Sequence, residues 1–302
     1  MRALVQSMLP PAAVHQLKRV RANFGQRSAF RAFATEGPRG AYLPADQLSK
    51  LLIQFPRAIP YRYDPASLLR RGEERARQIQ AVFDVRGARV LEIASHDGMV
   101  CAALARAGAI ATASALDLSH IDPRVREAGA KAEIADAGAL PFEDGSFDVV
   151  FSYNAFEHFS DPDAVLSEAL RVLRPNGVAY FNFGPLYRSS YGLHAMHSIT
   201  VPFCQFLWER PVLDAYIADR QLRRIEYETL NEWSIKQFRA LWAKRQPWGE
   251  TILYREVPSV HGVQLIQDHP ECFRGKVESF EDLITAVIEI AMRRTALPLS
   301  KA

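Results

Sequence analysis

Cysteine is scarce in this sequence, and no long apolar run occurs in it. The 302 residues include three cysteines, Cys101, Cys204 and Cys272, which are widely separated and form no Cys-x-x-Cys pair. This argues against a disulfide framework or a zinc knuckle and favours a reducing compartment. No stretch approaches the roughly 18 uninterrupted apolar residues that a membrane-spanning helix needs. With 48% hydrophobic and 24% charged residues, the composition predicts a cytoplasmic globular protein with a substantial core.

Acidic residues are missing from the first 35 positions. The whole chain has a net charge of +3, but six basic residues precede the first acid, Glu36, so the remainder is mildly acidic. We interpret residues 1–35 as a basic arm that packs on the domain as an amphipathic helix, contacts an anionic membrane or a phosphate-bearing substrate, or resembles a transit peptide. The basic residues are Arg2, Lys18, Arg19, Arg21, Arg27 and Arg31, and apolar residues at helical spacing are Val14, Leu17, Val20 and Phe24.

An apolar segment that stops at an acid opens the central part of the chain. Residues 89–98, with the sequence RVLEIASHDG, predict a strand that reaches Glu92 and turns into a helix through small or polar residues. In α/β proteins such a turn forms a nucleotide crevice, because the helix offers backbone N–H groups to the ligand. A second apolar segment ends at Asp117, 19 residues past Gly98, about the spacing at which an acid meets a ribose diol. The two segments therefore predict an adenosine site.

Further segments follow in the order that a known family uses. They are AEIADA at 132–137, LPFEDGSFDVV at 140–150, NAFEHF at 154–159 and RVLRPNG at 171–177. With them, the chain resembles the class I S-adenosylmethionine-dependent methyltransferases over about residues 73–184. The resemblance implies a Rossmann-like α/β fold with a seven-stranded, mostly parallel sheet and helices on both faces. It also implies S-adenosyl-L-methionine as the cofactor.

Two regions lie outside the best-matched core. Residues 1–70 contain helical patterns broken by glycine and proline, and we predict a helical N-terminal cap or arm there. Residues 71–302 form the predicted methyltransferase domain, in which the aromatic and histidine-rich stretch at about 184–230 is a substrate-lid insertion. Alternating apolar residues at 284–292 favour a strand, and the resemblance implies that it closes the sheet in the antiparallel sense.

The resemblance assigns residues to each part of the cofactor. Glu92 and Gly98 border the methionine portion, Asp117 takes the ribose hydroxyls, and Asp136 meets the adenine edge. Two alternatives stay open, namely Asp117 as a helix cap and Asp136 as a surface turn residue. The predicted cofactor-binding set is Glu92, Ala94, His96, Gly98, Asp117, Leu118, Asp136, Ala137 and Asn154, with Leu118 on the adenine face and Asn154 beside the sulfonium.

The first loop departs from the pattern of the family. Where relatives commonly have Glu-x-Gly-x-Gly-x-Gly, this chain has Ala94, His96 and Gly98, so two glycines are missing. Each glycine in such a loop permits a positive φ or a close approach of the backbone to the ligand. His96 must therefore adopt an angle that tolerates a Cβ or crowd the cofactor. A degenerate loop that binds no cofactor is the alternative.

The residues that follow the fourth predicted strand are candidates for contact with the methyl acceptor. Glu157 and His158 resemble the Glu-His pair that several small-molecule and lipid methyltransferases place beside the transferred methyl. His158 is a candidate base, since histidine accepts a proton near neutral pH; a histidine hydrogen-bonded at a helix start is the alternative. His194 on the predicted lid is a second candidate base. His194 and His197 have the spacing of a metal pair, but no third ligand is identifiable and no metal is predicted. The predicted substrate-binding residues are Glu157, Tyr187, Tyr191 and His197.

These features predict a methyltransferase that acts on a hydroxyl of a small molecule or of a lipid- or nucleotide-linked sugar. The alternatives are a catalytically inactive binding or scaffold protein with this fold, and an N- or C-methyltransferase of another metabolite. A nucleic-acid substrate is not expected, because Ser152-Tyr153-Asn154-Ala155 replaces the Asn-Pro-Pro-aromatic or Asp-Pro-Pro-aromatic loop of such enzymes. An NAD-dependent oxidoreductase is not expected either. Such an enzyme would need Gly-x-Gly-x-x-Gly at the first turn, and this sequence does not have that motif there.

Overall fold

The computed structural model describes residues 25–56 and 63–296. Most of the basic arm of residues 1–35, including its apolar positions, lies outside these ranges. The interpretations of the arm therefore stay predictions. Among the residues that are described, no helix is long and apolar enough to cross a membrane.

The chain divides into two compact units, each assembled from separated segments. The sheet unit comprises the described parts of 59–187, 226–257 and 287–302. The helical unit comprises the described parts of 1–58, 188–225 and 258–286. The sequence predicts the cap (1–70) and the lid (184–230) as continuous stretches. The functional roles of the cap and the lid stay predictions.

A seven-stranded sheet has the strand order β3-β2-β1-β4-β5-β7-β6. The pairs β1/β2, β1/β4, β2/β3 and β4/β5 are parallel, and β5/β7 is antiparallel. This confirms the predicted fold class. The carboxyl ends of β1 to β5 therefore share one edge, and the order reverses between β1 and β4, where open α/β sheets bind their ligands. The strands are β1 (Arg89–Glu92), β2 (Ile110–Ala115), β3 (Lys131–Ile134), β4 (Phe147–Tyr153), β5 (Leu173–Phe183), β6 (Gly249–Pro258) and β7 (Thr285–Arg294).

Helices connect the strands and build the helical unit. Helical backbone covers residues 25–34. The remaining α-helices are α1 (Asp46–Gln54), α2 (Pro65–Gln80), α3 (Met99–Arg106), α4 (Arg124–Glu127), α5 (Pro162–Val172), α6 (Cys204–Leu207), α7 (Arg210–Asp219), α8 (Ile235–Arg245), α9 (Val263–Asp268) and α10 (Phe280–Ile284), and single 3-10 turns occur at Tyr227–Thr229 and Pro270–Cys272.

Side chains at the helix starts explain where these helices begin. Asp161 accepts a hydrogen bond from the Ala164 N–H (3.0 Å) and precedes a proline, so it caps the start of α5. Asp64 caps α2 in the same way, with an adjacent proline. Ser234 opens α8 with a capping box. Such caps satisfy backbone donors that the first helical turn leaves open.

Both faces of the sheet are buried, as a parallel sheet requires. On one face, Phe156 packs on Phe181 with ring centroids 4.6 Å apart, and Trp242 of α8 lies 5.6 Å from Phe156. On the other face, α2 and α3 cover fully buried residues such as Val90 and Phe151. This two-sided packing fixes the positions of the loops at the carboxyl edge.

Residues 284–292, for which the alternating pattern favours a strand, belong mainly to β7. Its register places Ile290 opposite Phe181 and Ile288 opposite Phe183. Both isoleucines are fully buried. The predicted antiparallel closing strand is therefore confirmed, with the short helix α10 directly before it.

The helical unit is held by polar side chains that bind backbone carbonyls. Arg274 donates to the carbonyls of Ala32 and Phe33 at the end of the helix at 25–34. Lys276 donates to the carbonyls of Ala41 (2.6 Å) and Phe206 (2.7 Å). These contacts join segments that are far apart in the sequence, which explains why continuous stretches of sequence did not reveal this unit.

A substitution of Gly98 tests how tightly the first loop packs. The φ of Gly98 is +72°, and a Cβ there would meet Val125 Cγ2 at 2.7 Å, whereas at Gly129, with φ +83°, a Cβ would meet nothing within 4 Å. G129A should cost about 1 to 2 kcal/mol of unfolding free energy from the backbone alone. G98A should cost roughly 1 to 3 kcal/mol more, because the methyl group is overpacked. Urea denaturation measures both, and equal losses would contradict the tight contact.

Candidate functional site

The carboxyl group of Glu92 lies buried at the end of β1. The residue is 5% exposed. Its Oε2 and the neighbouring Ser95 Oγ are buried without a hydrogen-bond partner of normal geometry in the described part of the chain. A buried carboxylate oxygen without a donor is costly unless a ligand supplies one. This end of the strand is therefore prepared for a ligand that carries hydrogen-bond donors.

Burial also changes the charge of Glu92. Desolvation raises the pKa of this carboxyl to about 7, and the nearby negative charge of Asp97 raises it further, while Ser95, Cys101 and Arg75 act in the opposite direction. A cationic ligand group would favour the ionised form. The carboxyl group is therefore partly protonated near neutral pH.

The first loop has an alanine, Ala94, where relatives commonly have a glycine. Ala94 adopts a positive φ of +52°, a conformation that an alanine reaches at some cost. Gly98 has φ +72° and stands at the start of α3. Asp97 accepts a hydrogen bond from the Met99 N–H (2.9 Å). The chain therefore keeps the left-handed positions of the turn despite the missing glycines.

His96 occupies the other missing glycine position without a positive φ. Its ring is partly exposed and stacks on His120, with centroids 5.1 Å apart and planes within 7°. Its backbone angle thus tolerates a Cβ, which is the first of the two outcomes that the sequence left open.

The acids after β2 and β3 both bind their own turns. Asp117 is exposed and accepts hydrogen bonds from the Ser119 N–H (2.9 Å) and hydroxyl. Asp136 is exposed and accepts from the Gly138 N–H (2.8 Å). Leu118 is half-buried and Ala137 is buried. These turns place both acids at the carboxyl edge, and their assigned contacts with ribose and adenine stay predictions.

The loop after β4 carries a second buried acid. Asn154 has φ +50° and donates its N–H to the Asn182 carbonyl (2.9 Å). Glu157 is 2% exposed and accepts a hydrogen bond from the Gly184 N–H at Oε1 (3.0 Å). Its Oε2 has no partner among the described residues. Burial raises the pKa of Glu157 to about 7.

His158 is held in one tautomer by a backbone contact. Its Nδ1 lies 2.8 Å from the Thr229 carbonyl oxygen. Because a carbonyl can only accept, Nδ1 carries the proton and the lone pair of the neutral ring is on Nε2. Burial lowers the pKa of His158, so the ring is neutral at pH 7. The residue lies in a turn, not at a helix start.

The predicted lid residues fall in different units. Tyr187 is half-buried in the sheet unit. Tyr191, His194 and His197 belong to the helical unit, so their roles toward the residues of the sheet unit stay predictions. Within the helical unit, the Tyr191 ring lies 5.1 Å from His261. His197 Nε2 lies 3.2 Å from the Arg224 carbonyl oxygen.

Three further residues at the same edge were not identified from the sequence. Ser95 lies beside Glu92, His120 stacks on His96, and the Tyr63 ring lies 5.8 Å from His96. Only Ser95 carried a sequence signal, since it is a small polar residue inside the first loop. The two rings become relevant only through contacts that the fold creates.

These residues fit S-adenosylmethionine. The partnerless oxygen of Glu92 matches an ammonium group, the Ser95 hydroxyl can serve either oxygen or nitrogen, and the positive φ of Ala94 keeps the turn open. Asp117 lies at the end of the adjacent strand, where a diol would be met. Glu92, Ser95, Asp117 and the residues around Asp136 are therefore the groups that would hold this cofactor.

The raised pKa of Glu92 predicts that the free energy of unfolding depends on pH. The pKa of about 7 in the folded protein exceeds the ordinary value of 4.5, so the folded state binds the proton more tightly. The wild type should therefore lose stability as pH rises from about 4.5 to 7, by about 3 kcal/mol relative to E92Q. Urea denaturation at pH 5 and pH 8 measures this difference. E133Q, at an exposed position of β3, is the control and should follow the wild type; parallel curves for E92Q would contradict the buried acid.

Comparison with known proteins gives one family match and several distant relatives. Residues 91–181 match the family model described as "Methyltransferase domain". A demethylmenaquinone methyltransferase of Clavibacter sepedonicus is 29% identical over 163 residues, which cover 51% of this chain and 66% of that protein. A fatty-acid O-methyltransferase of Mycolicibacterium smegmatis is 34% identical over 155 residues, which cover 50% and 51%. The chain thus spans less than two thirds of these relatives.

A solved structure with a similar fold is phosphoethanolamine N-methyltransferase 2 of Haemonchus contortus. It is 16% identical, with a TM-score of 0.47, and the alignment covers 74% of this chain and 52% of that one. The matched segment 91–181 begins inside β1 and contains β2 to β4, the first loop and the Glu-His pair. Together with the sheet order, this match shows that these residues form a methyltransferase domain of the class I S-adenosylmethionine-dependent type.

Proposed function

We propose that this protein transfers the methyl group of S-adenosylmethionine to a hydroxyl of a small molecule, with lipid- or nucleotide-linked sugars included in that class. The observation that carries the proposal is the buried, partnerless Oε2 of Glu92 beside a loop that keeps its left-handed turn. A fold retained only as a scaffold would gain nothing from this buried acid, which costs stability when it is ionised.

Different residues along the carboxyl edge would bind different parts of the cofactor. Glu92 and Ser95 would bind the amino acid end, with the loop from Ala94 to Gly98 around it. Asp117 would accept hydrogen bonds from the ribose hydroxyls once its turn leaves a lone pair of the carboxylate available to them. Leu118, Asp136 and Ala137 would meet the adenine, and the backbone of Asn154 would border the sulfonium.

The acceptor needs a base and a fixed position. When bound, the cofactor supplies an electrophilic methyl group. His158 would take the proton of the acceptor hydroxyl at Nε2, since the Thr229 carbonyl holds the proton of the ring at Nδ1. General base catalysis of this kind contributes about 10²- to 10⁴-fold. Glu157 would bind the acceptor through Oε2, while its Oε1 stays on the Gly184 N–H.

The lid and the arm complete the proposal for the acceptor. Tyr187, Tyr191 and His197 would contact the acceptor, and His194 is the second candidate base. The basic arm of residues 1–35 would contact a phosphate group or an anionic membrane surface that presents the acceptor. The two relatives are named for a quinone and a fatty acid, which supports a small and partly apolar acceptor.

Substitution of His158 tests the proposed base. H158N keeps a side-chain N–H that can donate to the Thr229 carbonyl but removes the basic nitrogen. We expect transfer of labelled methyl to fall roughly 100-fold or more, with unchanged affinity for S-adenosylmethionine. The assay uses labelled cofactor with a panel of hydroxylated acceptors: quinols, fatty acids, and sugars on lipid or nucleotide carriers.

The control for this assay is H269N, which removes a histidine of the helical unit that has no role in the proposal. It should leave transfer unchanged. Full activity in H158N would reject this base, and transfer to an amine or carbon acceptor alone would reject the hydroxyl. Cofactor binding without transfer to any acceptor of the panel would favour the scaffold alternative.

A further inference from the structure

Two histidine rings join the loops that follow β1 and β2. His96 lies in the first loop and His120 in the second, and their rings are stacked with centroids 5.1 Å apart and planes within 7°. The Tyr63 ring lies 5.8 Å from His96 at an angle of 42°. Rings at these distances attract each other beyond the area that they bury.

The backbone ties the same two loops together. The Asp122 N–H donates to the Asp97 carbonyl (3.0 Å), directly beside His96. His120 follows the turn in which Ser119 binds Asp117. The stack therefore joins the loop that follows Glu92, the acid assigned to the amino acid end of the cofactor, to the loop that contains Asp117, the acid assigned to its ribose. Loss of the ring contact would leave the Asp117 loop less firmly held.

We propose that His96 and His120 form a positioning pair that holds the Asp117 loop against the Glu92 loop, and that the ring contact thereby strengthens cofactor binding. The proposal rests on the proposed function, because it concerns the affinity of the same cofactor site. It also gives the histidine at the missing glycine position a role, since a glycine there could not reach the second loop.

The groups around His96 favour its neutral form. Burial lowers the pKa of His96; Asp97 opposes this, whereas His120 and Arg71 lower it further. Arg71 lies 3.4 Å from Asp97, so part of the negative charge near His96 is already compensated. The His96 ring is therefore neutral at pH 7.5 and can stack without carrying a charge.

The test measures the affinity for S-adenosylhomocysteine by calorimetry at pH 7.5. H120A should bind roughly 3- to 10-fold more weakly than the wild type, because the ring contact is lost. H120F keeps an aromatic ring that can stack on His96. It should bind within about 2-fold of the wild type, so the difference between H120A and H120F isolates the ring contact.

A double substitution and a control complete the design. H96A combined with H120A should be little worse than either single variant, because both remove the same contact. H269A, in the helical unit, should match the wild type. Wild-type affinity in H120A, equal losses in H120A and H120F, or additive losses in the double variant would overturn the pair alone. Failure of the wild type to bind would overturn the proposed function as well.

Discussion

The buried carboxyl of Glu92 is the constraint on which the rest of the site depends. It stands at the point where the strand order reverses between β1 and β4, and it is buried. Its Oε2 has no hydrogen-bond partner of normal geometry in the described part of the chain, and burial raises its pKa to about 7. The loop around it, with left-handed Ala94 and Gly98, leads the backbone past the acid and into α3. A ligand with hydrogen-bond donors would complete this arrangement.

Glu157 repeats the same arrangement one strand further along the edge. Both acids have one buried oxygen without a donor, and burial brings the pKa of each to about 7. Glu157 differs in that its Oε1 is held by the Gly184 N–H at the end of β5. One edge of the sheet thus carries two protonatable groups that respond to charge in a bound ligand. Beside them, the His158 ring is held by a backbone carbonyl from a different segment.

Much of the sheet unit could be predicted from the sequence because its information is local. The apolar strands that end at Glu92 and Tyr153, the Asp161-Pro162 cap and the alternation that forms β7 each lie within about ten residues. The helical unit was not predicted in this form, since its three segments meet through contacts such as Arg274 with Ala32. The stack of His96 on His120 was missed for the same reason. The turn that engages Asp136 was predicted only as an alternative. For Asp117 the alternative was a helix cap, and its hydrogen bond to Ser119 in a turn was not predicted. A short acid can bind its own backbone as well as a ligand.

The central claim is that a sulfonium cofactor completes the buried acid at the end of β1. The most direct measurement is a calorimetric titration of the wild type and E92A with S-adenosylmethionine at pH 7.5. Saturable binding at a single site in the wild type, with affinity at least about 10-fold lower in E92A, is the result that this account predicts. Absence of heat in the wild type at millimolar cofactor, or equal affinity in both proteins, would contradict it.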